Sequence, residues 1–220
     1  MSQSKRTTFR ILEVATALGV IVILIILLLP DTGSREAGPR AQCANNLKQI
    51  GLALQNYYDA HTRFPPVATL GKNGEKLHSW RVLILPFLEQ QTLYEAFSLD
   101  EKWNGPRNKE LHSQKPYFFE CSESNQKSVS TSYLAITGIE SPWIANQSTD
   151  NVVPMVIESA LPGPIWCEPV DVDVEVLLSQ LRSGRFPENH RFKGAHVLFS
   201  DGSVDFMSSD QLINLLERLR

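Results

Sequence analysis

Three cysteines, Cys43, Cys121 and Cys167, are the most chemically distinctive residues of this 220-residue chain. No two of them have the C-x-x-C spacing typical of zinc sites. In an oxidising compartment one pair can form a disulfide and leave one thiol, and the residues alone leave three pairings open. The alternative is three buried thiols. We predict no metal site from these spacings.

Two histidines near the C-terminus are candidates for acid–base chemistry. His190 and His196 precede Asp201, and a histidine beside an aspartate can transfer protons. However, no serine or cysteine lies in a G-x-S-x-G nucleophile elbow. We therefore expect Asp201 to be a turn residue and His190 a loop residue, and we assign no catalytic residue.

Acidic residues alternate at Asp171, Asp173 and Glu175, and Asp150 lies in a separate polar turn. Calcium needs about six to eight oxygen ligands, and this run lacks the spacing and the glycine of an EF-hand. A solvated loop, or a helix N-terminus whose dipole favours acids, explains the pattern. We predict neither a metal ion nor a cofactor here.

Four tryptophans could form a surface on which a ligand stacks. They are Trp80, Trp103, Trp143 and Trp166. Trp80 falls in a helical pattern and the others lie near prolines or turns. Large aromatic side chains in such places usually anchor the packing of a core, so we predict packing.

The overall composition excludes several classes of protein. Hydrophobic residues make up 42% of the chain, charged residues 20%, and the net charge is -3. These values exclude wholesale disorder and fibrous repeats. A mean hydropathy of -0.16 excludes a membrane protein with many spans. No excess of lysine and arginine is present to neutralise phosphates, so we expect no nucleic-acid partner.

Residues 11–29 form an apolar run in which Glu13 is the only ionised group. At about 1.5 Å per residue these residues would span roughly 28 Å, close to the ~30 Å thickness of the hydrocarbon core. Residues 1–10 carry three basic residues and no acid, so the N-terminus should stay in the cytoplasm. Glu13 either pairs with Arg10 one turn earlier or neutralises a charge on a neighbouring subunit.

Apolar periodicity predicts the helices of the body. An amphipathic helix follows from the stripe Cys43, Leu47, Ile50, Leu54 and Tyr57. Further helices are expected from Ser79 to about Phe97, with a bend at Pro86, and from Val174 to Leu181.

Alternating apolar residues predict strands near 130–137 and 152–159 and a hairpin around Asp201-Gly202. A type I′ turn would require positive φ at both of these turn residues. Ser208 and Gln211 fit a capping box that begins a last helix.

The order of several segments resembles the DUF1559 proteins, which are pilin-like, related to type II secretion pseudopilins, and abundant in planctomycete bacteria. The segments are AQCANNLKQIGLALQNYYDAHTRFPP (41–66), HSWRVLILPFLEQQTLYEAFSLDEKWNGPRN (78–108), FECSES (119–124), TSYLAITG (131–138) and FSDGSVDFMS (199–208). The resemblance implies an α+β, pilin-like fold, in which a long N-terminal membrane helix continues into a helix packed on an antiparallel sheet. Because Cys43 and Cys121 both lie in shared segments, it also favours a disulfide between them.

The resemblance extends to a prepilin-type N-terminus. Prepilins have Gly before the cleaved bond, then Phe at position one and Glu at position five, and Phe9 and Glu13 have that spacing. Pro30 falls where pilin helices often carry a kinking proline. Thr8 replaces the glycine and Arg10 replaces the usual small polar residue. We therefore expect no cleavage by prepilin peptidase, and we favour Glu13 as the partner of Arg10.

Together these patterns predict a cytoplasmic basic tip (1–10), a transmembrane helix (11–29), a kinked connector (30–40) and an extracytoplasmic domain (41–220). We expect a non-enzymatic, pilin-like structural or assembly protein, anchored once in the inner membrane with its domain in the periplasm or outside. Its partners would be the lipid bilayer and other pilin-like subunits or a secretion apparatus. The alternatives are a solute- or polymer-binding module and, third, an exported enzyme.

Overall fold

The computed structural model describes residues 18–20, 34–121, 129–138, 143, 152–159, 163–184 and 194–219. Phe9, Glu13 and Pro30 lie outside these residues, as does most of the 11–29 segment. Among the described residues we find no helix with both the length and the apolar character that a membrane crossing requires. The chain divides into two units, residues 1–38 and 39–220, and the architecture below is that of the second, whose first helix begins at Ser34 in the first.

The described residues form an α+β domain, as the sequence predicts. The helices are α1 (Ser34–His61), α2 (Trp80–Leu83), α3 (Gln91–Ala96), α4 (Pro106–Lys109), α5 (Val174–Arg182) and α6 (Ser209–Arg218). Short 3₁₀ turns cover Leu85–Leu88, His112–Gln114 and Tyr117–Phe119. The strands are β1 (Ala68–Leu70), β2 (Lys76–Ser79), β3 (Tyr133–Thr137), β4 (Pro154–Glu158), β5 (Val172–Asp173), β6 (Gly194–Phe199) and β7 (Val204–Ser208).

Among the described strands, five form the main sheet in the order β5-β3-β4-β6-β7. β3, β4, β6 and β7 pair antiparallel, but β5 pairs parallel to β3. The sheet is therefore mixed, and the expectation of an antiparallel sheet is wrong at this edge. β4 ends beside Tyr133, the first residue of β3, so the chain that leaves β4 can run along the other edge of β3 in the same direction as β3. β1 and β2 form a separate antiparallel pair.

Helices cover both faces of the main sheet. All five residues of the central strand β4 are buried, as expected for a strand between two layers. On one face, Tyr133, Ala135 and Leu198 join the cluster that contains the α1 stripe. On the other face, Ile136, Ile157 and Val197 pack with α5 and α6. Successive residues of β3 alternate between the two clusters, which is the period of two that a strand imposes.

Helix α1 confirms the predicted amphipathic stripe. Each of its five apolar residues is buried, and the polar residues Asn45, Lys48, Gln49 and Asn56 are exposed. The helix also starts earlier than expected: residues 34–40, assigned to a kinked connector, are helical and include Pro39. Pro39 is the sixth residue of the helix, where proline removes the donor of one i→i−4 backbone hydrogen bond.

Helix α1 approaches the sheet closely at one glycine. A Cβ on Gly51 would lie 2.7 Å from Cδ1 of Leu198 on β6, so a larger residue would require the Leu198 side chain to move. One turn later, the Gln55 amide donates to the Ser200 carbonyl over 2.7 Å.

The single helix predicted from Ser79 to Phe97 is broken into three pieces. Ser79 caps α2 as expected, accepting from the Arg81 backbone N–H. The 3₁₀ turn with Pro86 at its second position follows, and Glu89 has a φ of 58° that ends it. Proline lacks the N–H that a continuous helix needs, so the break is sharper than a bend.

The C-terminal hairpin and helix form where predicted, but the turn is of another kind. Only Gly202 has positive φ, at 84°, while Asp201 does not, so the turn is not type I′. The Gly202 N–H donates to the Phe199 carbonyl and the Phe199 N–H donates to the Ser203 carbonyl. That pattern is typical of a three-residue loop with glycine in the left-handed position. The Ser208–Gln211 capping box is confirmed.

Candidate functional site

A buried polar cluster lies between α1 and the main sheet. Tyr133 on β3 stands opposite Glu158 on β4, and the Ile157–Val197 pair places His196 of β6 on the other side of Glu158. Three adjacent strands therefore bring a phenol, a carboxylate and an imidazole together. All three side chains are buried, at 0%, 0% and 5% exposure.

Glu158 and His196 are joined by a short contact. The Nδ1 atom of His196 lies 2.6 Å from Oε2 of Glu158, and the His196 backbone N–H donates to the same oxygen over 3.2 Å. The ring of His196 also meets the edge of Phe206. The carboxylate is thereby held in one orientation.

The cluster includes a disulfide between Cys43 of α1 and Cys121, which follows the third 3₁₀ turn. This is the pairing that the family resemblance favours. Both sulfur atoms are fully buried, and one carboxylate oxygen of Glu158 lies within 4.8 Å of each of them. An acidic group thus borders the only cystine found among the described residues.

Two further polar contacts attach α1 at this place. The Tyr133 hydroxyl donates to the Cys43 carbonyl over 3.1 Å. The buried Asn46 amide donates to the Glu120 carbonyl over 2.8 Å. Burial raises the pKa of Tyr133 well above its ordinary value, and the nearby Glu158 adds to the shift, so the phenol remains a donor.

Glu158 and Asn46 were not predicted from the sequence as members of a site. Glu158 ends an otherwise apolar strand, and a single acid at such a place is the only signal that could have marked it. Asn46 adjoins the apolar stripe of α1. Of the two histidines considered for acid–base chemistry, the structure describes His196, which contacts Glu158. His190 lies outside the described residues.

Asp201 is a turn residue, as expected. Its Oδ1 accepts from the Ser203 backbone N–H over 2.9 Å and from the Ser203 hydroxyl over 2.7 Å. These bonds lower the pKa of Asp201. The side chain is exposed and serves the loop between β6 and β7.

The acidic residues at positions 171–175 lie in two different environments. Asp173 caps α5 by accepting from the Glu175 N–H over 2.9 Å, which matches the predicted helix N-terminus. Asp171, by contrast, is buried and paired with Arg81, so the reading of this residue as solvated is wrong. Its partner comes from 90 residues earlier in the chain, beyond the reach of local pattern.

Three of the tryptophans pack in the core, as predicted. Trp80 and Trp166 are fully buried and Trp143 is 7% exposed. Their indole nitrogens donate to Asp171, to the His112 carbonyl and to the Met155 carbonyl. Trp103 is half-buried and stacks on His112. Cys167 is a buried free thiol, distinct from the disulfide.

A family model described as a protein of unknown function (DUF1559) matches residues 33–156, which is more than half of the chain. The matched range includes α1, both cystine residues and β3. No curated protein and no solved structure is significantly similar to the chain.

Proposed function

Because the chain belongs to the DUF1559 family, we propose that it is a membrane-anchored, pilin-like structural or assembly protein of the cell envelope. One observation carries the proposal: the apolar segment 11–29 precedes a domain that contains the Cys43–Cys121 disulfide. Disulfides persist in oxidising compartments such as the periplasm. The basic residues before the segment favour the same side of the membrane for that domain.

The contacts of the polar cluster support a structural role over an enzymatic one. The disulfide, the Tyr133 hydroxyl and the Asn46 amide each attach α1 to the rest of the domain. Glu158 and His196 are buried and face each other, so neither is placed to meet an external substrate. In this role α1 follows the membrane anchor in the sequence. The disulfide bonds α1 covalently to the rest of the domain, which the anchor holds at the membrane.

Membrane topology provides the first test. The full-length protein is expected in the membrane fraction after an alkaline wash, with its domain accessible to protease from the outside. Replacing Val20 and Ile23 with lysine should release it, because a charge near the centre of a spanning helix costs about 2.5–3.5 kcal/mol. The matched control replaces Leu52 and Leu70, which are 58% and 63% exposed, and should remain in the membrane.

Cross-linking and mass measurement test assembly and processing. An amine-reactive cross-linker applied to intact membranes should give a ladder of oligomers. A ligand-dependent thermal shift without oligomers would instead favour the solute- or polymer-binding module. The intact mass of the extracted protein should retain residues 1–8. A mature N-terminus at Phe9 would contradict the unprocessed form and restore Glu13 as an assembly residue.

A further inference from the structure

We propose that Cys43, Cys121 and Glu158 form a binding site for a thiophilic divalent cation such as Zn²⁺ when the disulfide is reduced. Their two sulfur atoms and one carboxylate oxygen lie within 4.8 Å of one another. The three residues come from α1, from the segment after Phe119 and from β4. The fold therefore gathers the ligands, which explains why the cysteine spacing gave no sign of them.

The ligand set suits zinc. Thiolate sulfur and carboxylate oxygen are both common zinc ligands, and three protein ligands with an exchangeable fourth position form a known type of site. All three residues are fully buried, unlike the exposed acidic groups that gather on protein surfaces without binding a metal.

The surroundings of Glu158 also suit a metal ligand. Its Oε2 atom contacts Nδ1 of His196 at 2.6 Å, and the His196 backbone N–H donates to the same atom. Carboxylates that bind metals usually carry such hydrogen-bonding partners, which fix their orientation. The carboxylate is therefore already positioned before the cation arrives.

The redox state decides whether the site exists. A dithiol reductant transfers two electrons and two protons to the cystine, which gives two thiols and the oxidised reductant. Binding of the cation then displaces the two thiol protons and leaves two thiolate ligands. The cystine has no thiolate to offer, so the oxidised protein should not bind. This site does not rest on the proposed membrane anchor.

The test uses full-length protein produced in a reducing cytoplasm and extracted without oxygen, so that metal can enter during folding. Co²⁺ replaces Zn²⁺ as a spectroscopic probe. We expect one Co²⁺ per chain, with a thiolate-to-cobalt charge-transfer band and the visible bands of a four-coordinate site. The air-oxidised protein should show neither the charge-transfer band nor the visible bands. X-ray absorption of the zinc-loaded protein should show two sulfur ligands, with oxygen or nitrogen completing the shell.

Variants identify the ligands. Glu158→Gln should weaken zinc binding at least ~10-fold and His196→Gln about 10–100-fold, as for a lost hydrogen-bonding partner. Cys167→Ser is the matched control and should bind as the wild type does. The proposal is overturned if the reduced wild type binds no Co²⁺, if three sulfurs surround the zinc, or if Cys167→Ser loses binding. The wild-type spectra decide the question even if a variant does not fold.

Discussion

Arg81 and Asp171 form an ion pair in the interior of the domain, with their side chains 0% and 2% exposed. The Nη2 atom of Arg81 lies 2.5 Å from Oδ1 of Asp171. The same oxygen accepts from the Trp80 indole and the Ala135 backbone N–H. Arg81 also donates through Nε and Nη2 to the Tyr133 carbonyl. The pair therefore connects α2, β3 and the segment before β5.

Removing one member of this pair should destabilise the domain strongly. Asp171→Asn leaves the Arg81 charge buried without its counter-ion, and such a change costs about 3–5 kcal/mol. Urea unfolding followed by circular dichroism measures it. Arg81→Met combined with Asp171→Leu should cost less than the sum of the single changes, because no unpaired charge remains.

A surface pair of the same residue classes is the control. Arg182 of α5 and Glu217 of α6 lie 2.5 Å apart but are 52% and 44% exposed. Glu217→Gln should cost no more than about 1 kcal/mol, because water and salt screen an exposed pair. Equal costs for Asp171→Asn and Glu217→Gln would show that burial of the first pair has no energetic consequence.

The Cys43–Cys121 disulfide should contribute much of the stability. It closes a loop with a sequence separation of 78, for which chain-entropy estimates give about 4.5 kcal/mol. Adding reductant should lower the urea midpoint of the wild-type protein. The same reductant should leave the midpoint of the Cys43→Ser, Cys121→Ser variant unchanged, and a shift in that variant would mean that another bond is being reduced.

Cys167 should be unreactive in the folded protein. Burial raises the pKa of this thiol from 9.0 to about 12, so almost no thiolate is present near neutral pH. The thiolate is the form that alkylating agents attack. At pH 8 the native protein should take no maleimide label, and in denaturant without reductant it should take one. Cys167→Ser should take none in either state, and rapid labelling of the native protein would contradict the prediction.

Stability should fall in mild acid because of His78. Burial lowers the pKa of this imidazole below its ordinary 6.5, although the Leu99, Glu101 and Ser98 carbonyls partly oppose the shift. Below pH 6.5 the unfolded chain binds a proton that the folded chain does not, so the free energy of unfolding falls as pH drops from 6.5 to the folded-state pKa.

Urea unfolding at pH 7.5 and pH 5.5 measures this dependence. His78→Gln should reduce the difference in stability between the two pH values. His61 is exposed, so His61→Gln is the control and should keep the wild-type difference in stability between the two pH values. An unchanged difference in His78→Gln would assign the pH dependence to other groups.

Several elements could be predicted because their cause is local. The stripe of α1, the Ser79 cap, the Ser208–Gln211 capping box and helix α5 depend on residues within a few positions of one another. Predictions failed where another conformational preference opposed the local pattern. The helix expected through Pro86 broke, and the Asp201-Gly202 turn took a three-residue form because only Gly202 adopted positive φ.

The candidate site depends on contacts that no local pattern contains. Glu158 of β4 contacts His196 of the neighbouring strand β6, 38 residues away in the sequence. Glu158 also lies beside the disulfide, whose two cysteines are 78 residues apart. In the sequence Asp171 resembles the other acidic residues of its segment, and only the folded structure shows its ion pair with Arg81. Within its own segment, none of these residues has a pattern that predicts a buried polar contact.

The sequence by itself determined the family, through the resemblance of its segments and the family model that matches residues 33–156. It also determined the α+β class, the apolar segment 11–29 and the buried stripe of α1, because the periodicity of apolar residues reports on burial. Only the tertiary structure decided which polar groups share the interior. Burying a charge or a carboxylate is unfavourable unless a partner arrives from elsewhere in the chain, as Arg81 does for Asp171 and His196 for Glu158. The partner's position is set by strand order and helix packing, so it becomes visible only once the chain has folded.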